Sequence, residues 1–171
     1  MFLNISAGLC LIPLAKQMMK DELVAFSASA IAVFVALSGV FNGCGRFVFA
    51  FISDKLPKRL AIILLILGIS ILTMGCTLVS PMAIGVSLLL INACYGAGFS
   101  VIPAILSEKF GMTDISKIHG AVLSAWGVAG LCGNQLSLLM NRLSGFRGVI
   151  VMIACLYLVN LLNYLYWRKK A

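Results

Sequence analysis

Long apolar segments alternate with short polar stretches along the whole chain. A helix that crosses the hydrocarbon of a bilayer needs roughly 20 apolar residues, and all but the first of the segments reach that length. The first is apolar but shorter, so it predicts the tail of a span whose beginning is missing. The predicted spans are residues 1–15, 24–53, 60–80, 82–106, 118–140 and 148–167. The pattern therefore predicts an all-α membrane protein, a bundle of six transmembrane helices whose first helix is truncated.

Polar stretches between these segments predict the connections. The longest are residues 16–23 (KQMMKDEL) and 107–117 (SEKFGMTDISK), and in the second of them Thr113 or Asp114 is placed to cap the following helix. Residues 54–59 and 141–147 predict two shorter loops. Tight connections favour antiparallel neighbours. The six spans also allow a 3+3 inverted repeat, which often leaves no trace in sequence.

Composition places the chain in a membrane. Hydrophobic residues make up 62% of it and charged residues 11%, and the mean hydropathy is +1.11. A soluble domain is nearer half apolar and a quarter charged. A chain this apolar has nowhere to place its surface in water, so we expect an integral protein of the lipid bilayer.

The net charge of +8 does not indicate a nucleic-acid partner, because the basic residues lie in short clusters between the apolar segments, a pattern that orients a membrane protein. The basic residues form no stripe interleaved with aromatic residues, which a strand-binding groove needs. When the loops alternate sides, eight basic residues fall on one side: Lys55, Lys58, Arg59, Lys109, Lys117, Arg168, Lys169 and Lys170. Four fall on the other: Lys16, Lys20, Arg142 and Arg147. The richer side should be cytoplasmic, which predicts a multi-pass protein of the bacterial cytoplasmic (inner) membrane with a cytoplasmic C-terminus.

The sequence offers no enzyme chemistry. Its six cysteines are scattered one to each apolar segment without a CxxC or metal-like pair, so they are expected to act as small apolar residues. The single histidine, His119, has no ligand-type residue at metal spacing, and we expect it to be a polar residue at a helix start. No catalytic set, metal or cofactor is predicted.

Arg46 is the one charged residue inside a predicted span. Inserting an arginine into hydrocarbon costs about 2.5–3.5 kcal/mol on insertion scales. Ser38 and Asn42 precede it at four-residue spacing and share its helix face. Because no predicted span contains an acidic residue, the guanidinium is available for a substrate carboxylate, which it can hold with two hydrogen bonds. The alternative is that Arg46, about 10 Å of helix rise from the end of its span, snorkels to the cytoplasmic interface.

Small residues predict where helices pack closely. Gly39 and Gly43 form a GxxxG pair on the second span, which predicts a close contact with another helix. The fifth span is dense in small residues and is predicted to be a packed interior helix. These residues are Gly120, Ala121, Ser124, Ala125, Gly127, Ala129, Gly130 and Gly133.

The connection after the second span resembles a known motif. Residues 50–59 (AFISDKLPKR) are similar to the GxxxDRxGRR loop of the major facilitator superfamily, although plain positive-inside topology would also give a short basic loop here. The motif's acid and its last two basic residues are present as Asp54, Lys58 and Arg59. The departures from it are Ala50, Lys55 and Pro57. The resemblance implies a gating loop made by Asp54, Lys55, Lys58 and Arg59.

Three further stretches make the resemblance more specific. FNGCGRFVFAFISDK (residues 41–55), SVIPAILSEKFG (100–111) and IHGAVLSAWGVAG (118–130) resemble corresponding parts of the oxalate/formate antiporter family. MFLNISAGL at the start resembles the seventh span of that family. The resemblance implies that residues 1–171 are the C-terminal six-helix half of a roughly twelve-helix carrier, whose partner is the missing N-terminal half.

The resemblance also implies a binding site. In this family, and in the related monocarboxylate transporters, an arginine at the position of Arg46 binds the substrate carboxylate. Tyr95 and Phe99 match aromatic positions that line the cavity, and Trp126 stands where oxalate carriers have a second cation, a lysine. Ordinary packing is the alternative for these three aromatic residues. Asn42 stands where animal-type monocarboxylate transporters have an aspartate, and it would be a neutral partner for the anion.

The expected function is secondary active transport of a small organic anion by alternating access. One cation suits one carboxylate, so a monocarboxylate such as pyruvate, lactate or formate is favoured over oxalate. The alternatives are a facilitator-superfamily carrier of a neutral or drug-like substrate, in which Arg46 is only structural, and a non-transporting, truncated membrane fragment.

Overall fold

The computed structural model describes residues 2–21, 27–56, 61–80 and 83–168, and its regular elements are α-helices. They are α1 (Phe2–Asp21), α2 (Ala28–Lys55), α3 (Ala61–Val79), α4 (Ile84–Phe110) and α5 (Ile115–Arg168). By length and hydropathy, four of the described helices can cross a membrane: α2, α3, α4 and residues Ile115–Tyr166 of α5.

The first helix is longer than the sequence predicts. Residues 16–21 were expected in a loop, but α1 continues to Asp21. The side chain of Met19 is fully buried in the apolar core, so packing rather than local polarity determines where this helix ends. The expectation of a loop from residue 16 is therefore wrong up to residue 21, and residues 22–26 lie outside the described ranges.

The second helix has a defined cap at each end. The Ser27 side chain caps its start by accepting a hydrogen bond from the backbone N–H of Ala30 at 3.2 Å. At its end the backbone N–H of Leu56 donates to the carbonyl oxygen of Ser53 at 3.3 Å. The helix therefore includes Asp54 and Lys55, which the sequence placed in the following loop.

The connection between α4 and α5 is shorter than predicted. Residues 107–110 were expected in the linker but continue α4, which ends at Phe110 and is followed by Gly111 with φ 74°. A positive φ is readily accessible to glycine alone. Asp114 directly precedes α5, where its carboxylate accepts a hydrogen bond from the Lys117 side chain at 3.1 Å. Residues 111–114 are the only part of the predicted linker that is not helical.

Gly145 divides the fifth helix. Its φ of 64° and ψ of −170° are not helical, whereas the rest of the predicted loop 141–147 is helical. Gly133, before the break, lies against Ser6 of α1, and Asn160, after it, lines a cavity together with Asn4 of α1. Residues 115–144 and 146–168 therefore run antiparallel beside the same helix, and the predicted seven-residue loop is a turn centred on one glycine.

Two apolar clusters hold the helices together. One joins α1, α2, α3, α4 and the second segment of α5, with Met74, Leu88, Ile153 and Tyr157 fully buried. The other joins α2, α3 and α4 around Phe49. Apolar side chains also cover the outside, and Phe47, Val79 and Leu131 are each more than 75% exposed. Hydrocarbon tolerates such a surface and water does not.

The first segment of α5 is less buried within this chain than its small residues predict. Of the eight small residues, only Ala129 and Gly133 are buried. A Cβ added to Gly120 or Gly127 would meet nothing within 4 Å. Within the described part of this chain, most of the segment is therefore not a packed interior helix, contrary to the prediction. Its close contact to α1 follows a narrow stripe, in which Ser137 donates a hydrogen bond to the Cys10 carbonyl oxygen at 3.1 Å.

Candidate functional site

A close crossing of α2 and α4 determines the geometry of the site. A Cβ added to Gly45 of α2 would overlap the Ala93 carbonyl of α4, and one added to Gly96 of α4 would overlap the Asn42 carbonyl of α2. Each helix therefore needs a glycine where the other backbone passes. Among the described residues, a Cβ on Gly39 or Gly43 would meet nothing within 4 Å, so the predicted GxxxG pair makes no close contact with another described helix.

Asn42 is fixed between the two helices at this crossing. Its amide nitrogen Nδ2 donates a hydrogen bond to the Asn92 carbonyl oxygen of α4 at 3.2 Å. Its amide oxygen Oδ1 accepts a hydrogen bond from Nη2 of Arg46 at 3.4 Å. The amide therefore ties the arginine, one helical turn further along α2, to the backbone of α4. Ser38 does not join them, because its hydroxyl donates to the Val35 carbonyl oxygen at 2.7 Å.

The Arg46 side chain lies over an aromatic ring of α4. Its Cζ atom is 4.9 Å from the centroid of the Phe99 ring. A guanidinium within about 6 Å of a ring face is attracted by the ring's quadrupole. Arg46 is thus held against α4 by one neutral amide and one ring, and much of the residue is exposed within this chain.

Three aromatic residues continue the site from α4 to α5. The Tyr95 and Phe99 rings lie edge to face at 5.4 Å, and the Phe99 and Trp126 rings lie edge to face at 6.1 Å. Trp126 Nε1 donates a hydrogen bond to the Tyr95 hydroxyl at 2.7 Å. The structure therefore brings together all five residues proposed for substrate binding. We call them the arginine–aromatic cluster: Asn42, Arg46, Tyr95, Phe99 and Trp126.

The cluster lies on an open face of the chain. Tyr95 and Phe99 are half-buried, while the Trp126 side chain is 44% exposed. Along α2 the nearest acidic residue is Asp54, about 12 Å of helix rise beyond Arg46. The cluster therefore presents one guanidinium, one amide and three rings on a surface that a small anion could reach.

The predicted gating loop lies partly in the described residues. Asp54 and Lys55 form the last turn of α2, and Lys55 Nζ lies 4.1 Å from the centroid of the Phe51 ring. Asp54 is exposed. Lys58 and Arg59 lie outside the described ranges, so the gating loop remains a prediction.

Residues of metal-ligand type are dispersed through the described part of the chain. Within it, no three His, Cys, Asp or Glu side chains come together as a metal site. None of the six cysteines, all of which lie in the described residues, forms a disulfide, and Cys10 donates a hydrogen bond from its thiol to the Gly133 carbonyl oxygen at 3.0 Å. Cys10 and Cys94 are buried, as expected for small apolar residues, whereas the other four cysteines are exposed on the apolar surface. His119 lies in the first turns of α5.

Two features of the site were missed by the sequence reasoning. The first is the pair Gly45 and Gly96, which are ordinary glycines in sequence and are distinguished only by the helix crossing. The second is the Asn92 carbonyl oxygen, a backbone atom that no residue pattern reveals. Gly45 immediately precedes Arg46, and that adjacency was the one available signal.

Comparisons with known proteins identify the family. The profile of the Major Facilitator Superfamily matches residues 1–171. An uncharacterized MFS-type transporter of Escherichia coli K12, YhjX, is 28% identical over 130 residues, which cover 74% of this chain and 32% of that protein. The match thus spans about a third of the relative's length. No solved structure matches significantly. The chain belongs to the major facilitator superfamily of membrane transporters.

Proposed function

We propose that this chain is one half of a secondary transporter for a small organic anion, and that Arg46 is the group that binds the anion. The observation that carries the proposal is the set of contacts around that guanidinium. Its hydrogen-bond acceptor is a neutral amide at a long 3.4 Å, and its other neighbour is the Phe99 ring.

These contacts can be exchanged for a carboxylate. Charge-assisted hydrogen bonds from a guanidinium are roughly twice as strong as neutral ones, and a carboxylate can accept two at once. An arriving anion would therefore replace the weak bond to Asn42 Oδ1. Asn42 keeps its bond to the Asn92 carbonyl, so the amide stays in place beside the anion.

A monocarboxylate is the substrate class that the cluster favours. Arg46 is its one formal charge, which balances one carboxylate. Tyr95, Phe99 and Trp126 supply apolar walls for the rest of a small molecule such as pyruvate, lactate or formate. Trp126 also occupies the place at which the resemblance to oxalate carriers implies a second cation.

Transport by alternating access needs a second bundle. The open face that carries the cluster would meet the N-terminal six-helix half of a complete carrier, and this chain would be the C-terminal half, with a 3+3 inverted repeat. Rocking of the two halves about Arg46 would expose the anion to each side in turn. In this arrangement residues 54–59 are the cytoplasmic gating loop and the C-terminus is cytoplasmic, in a bacterial inner membrane.

Uptake of labelled pyruvate, lactate and formate by cells that express this chain together with its N-terminal half tests the proposal. Arg46→Ala should abolish uptake, and Arg46→Lys should weaken it, because lysine cannot reproduce the bidentate geometry. Arg147→Ala, which removes an exposed arginine of α5 outside the cluster, is the matched control and should behave like the wild type. Unchanged uptake in Arg46→Ala would remove this residue from the mechanism.

The three packed rings favour one alternative, a carrier of a neutral or drug-like substrate. In that case substitution of the aromatic residues would reduce uptake, whereas loss of the positive charge at position 46 would not. Loss of uptake in Trp126→Ala with normal uptake in Arg46→Ala would support it. Absence of uptake of any tested solute by the wild-type protein would instead support a non-transporting fragment.

A further inference from the structure

The Tyr95 hydroxyl has a hydrogen bond left to donate. The indole Nε1–H of Trp126 is a donor only, so the Tyr95 oxygen is the acceptor in the 2.7 Å contact between them. The hydrogen of the Tyr95 hydroxyl takes no part in that contact, and it finds no acceptor among the residues that the structure describes. A phenolic hydroxyl can donate and accept at the same time. The donor side of Tyr95 is therefore available to a bound molecule.

Contacts from three helices fix the position of this hydroxyl. A Cβ added to Gly8 of α1 would lie 3.1 Å from Cδ2 of Tyr95 and 3.4 Å from its Cγ, so the α1 backbone runs directly beside the ring. The Phe99 ring of α4 meets the Tyr95 ring edge to face at 5.4 Å. Trp126 of α5 then holds the oxygen from one side, so the hydroxyl hydrogen must point to another side. The oxygen and its hydrogen are thus positioned before any ligand arrives.

The free side of the hydroxyl belongs to the same open face as Arg46. Helices α1 and α5 occupy the neighbouring sides of Tyr95 through Gly8 and Trp126. The Arg46 guanidinium of α2 lies on the Phe99 ring that Tyr95 also contacts, with Cζ 4.9 Å from the ring centroid. Tyr95 is half-buried and Arg46 is exposed within this chain. A small anion that binds Arg46 and lies along the Phe99 ring would therefore come next to the Tyr95 hydroxyl.

Trp126 itself has no polar atom left for a ligand. Its indole nitrogen is used by Tyr95, and its ring lies edge to face with Phe99 at 6.1 Å. We propose that Tyr95 is a specificity-determining residue, which donates a hydrogen bond to a second oxygen of the anion bound by Arg46, and that Trp126 is a positioning residue, which orients that hydroxyl. This inference rests on the proposed anion site at Arg46.

The additional hydrogen bond narrows the class of substrate. A site built to donate a hydrogen bond discriminates against an analogue that leaves its donor unpaired. The favoured ligand is a small monocarboxylate with a hydroxyl or keto oxygen close to the carboxylate. Formate, which has no oxygen outside its carboxylate, should bind less well than such an acid.

Equilibrium binding of lactate and of propionate tests the inference on this chain purified together with its N-terminal half. The two acids have the same charge and the same number of carbon atoms, and propionate lacks the hydroxyl oxygen. The wild type should bind lactate about fivefold to tenfold more tightly, which is the effect of one additional hydrogen bond. Tyr95→Phe should bring the two affinities together by weakening lactate alone. Tyr166→Phe, which changes an exposed tyrosine near the end of α5, is the matched control and should keep the wild-type ratio.

Trp126→Phe tests the positioning role, because it keeps an aromatic ring and removes the N–H. It should lower the ratio of lactate to propionate affinity while the affinity for propionate stays at the wild-type value. Equal weakening of both acids would show that Trp126 is merely structural, and a wild-type ratio in Trp126→Phe would also refute positioning. A wild-type ratio in Tyr95→Phe would refute its role in specificity.

Arg46→Ala separates this inference from the anion site on which it rests. If the wild type binds lactate and propionate equally and Arg46→Ala weakens both, the role of Tyr95 is wrong and the anion site stands. If Arg46→Ala binds both acids as tightly as the wild type, or if the wild type binds neither, the anion site itself is wrong and the inference falls with it.

Discussion

Adding one methyl group at the α2–α4 crossing should disrupt both the fold and the site. In Gly45→Ala the new Cβ would lie 2.7 Å from the Ala93 carbonyl carbon, and in Gly96→Ala it would lie 2.9 Å from the Asn42 carbonyl carbon. Carbon atoms in favourable contact are about 3.5–4.0 Å apart. The two helices must therefore separate by about 1 Å at the point where they cross, because the obstacle is backbone and not a flexible side chain.

That separation has a calculable consequence. The hydrogen bond from Asn42 to the Asn92 carbonyl oxygen, now 3.2 Å, would lengthen to about 4 Å and be lost. Overpacking costs about 1–3 kcal/mol, and the lost hydrogen bond adds about 1 kcal/mol. At about 2–4 °C per kcal/mol for a chain of this size, the melting temperature should fall by roughly 5–15 °C. Anion binding should weaken as well, since Arg46 directly follows Gly45.

The measurement is thermal unfolding of the purified protein in detergent. Gly39→Ala and Gly43→Ala are matched controls on the same helix, because a Cβ at either position would meet no described residue within 4 Å. They should leave the melting temperature unchanged or slightly raised, given the higher helix propensity of alanine. Equal melting temperatures for Gly45→Ala and Gly43→Ala would refute the close crossing and, with it, the placement of Arg46 against α4.

Two further predictions concern the cluster itself. Asn42→Asp would place a carboxylate next to Arg46, where it would compete with the substrate anion. Anion binding should therefore weaken at neutral pH and recover as the pH falls and the new acid is protonated. Anion binding that does not depend on pH would contradict this. In a double-mutant cycle of unfolding free energies, Trp126→Phe and Tyr95→Phe should each remove the 2.7 Å hydrogen bond while keeping an aromatic ring, with a coupling free energy of about 1 kcal/mol. Strictly additive effects would show that the bond contributes nothing.

The helical pattern could be predicted from sequence because it depends on the length and polarity of each segment. Where prediction and structure differ, tertiary packing decides. Met19 is buried, so α1 extends through a stretch that looks like a polar loop. Gly145 compresses a predicted seven-residue loop into a turn, because one residue with positive φ suffices to end one segment and begin another. Polar composition indicates where a chain reaches the surface, but it does not indicate where a helix stops.

The members of the candidate site were also predictable, but their arrangement was not. Arg46 and Asn42 share a helix face by spacing alone, and Tyr95 and Phe99 do so on α4. The hydrogen bond from Trp126 to Tyr95 joins residues far apart in sequence, so it depends on how α4 and α5 pack. That Gly45 and Gly96, and not Gly39 and Gly43, lie at the close helix contact likewise depends on where the two helices cross.

The central claim is that Arg46 binds a negative charge. Equilibrium binding of lactate and of lactamide, its uncharged amide, to the purified protein and to Arg46→Ala tests this claim most directly. The account predicts that the wild type binds lactate at least tenfold more tightly than lactamide, and that Arg46→Ala loses this preference while its weak binding of lactamide persists. Equal affinities of the wild type for the two compounds, or the full preference for lactate in Arg46→Ala, would contradict it.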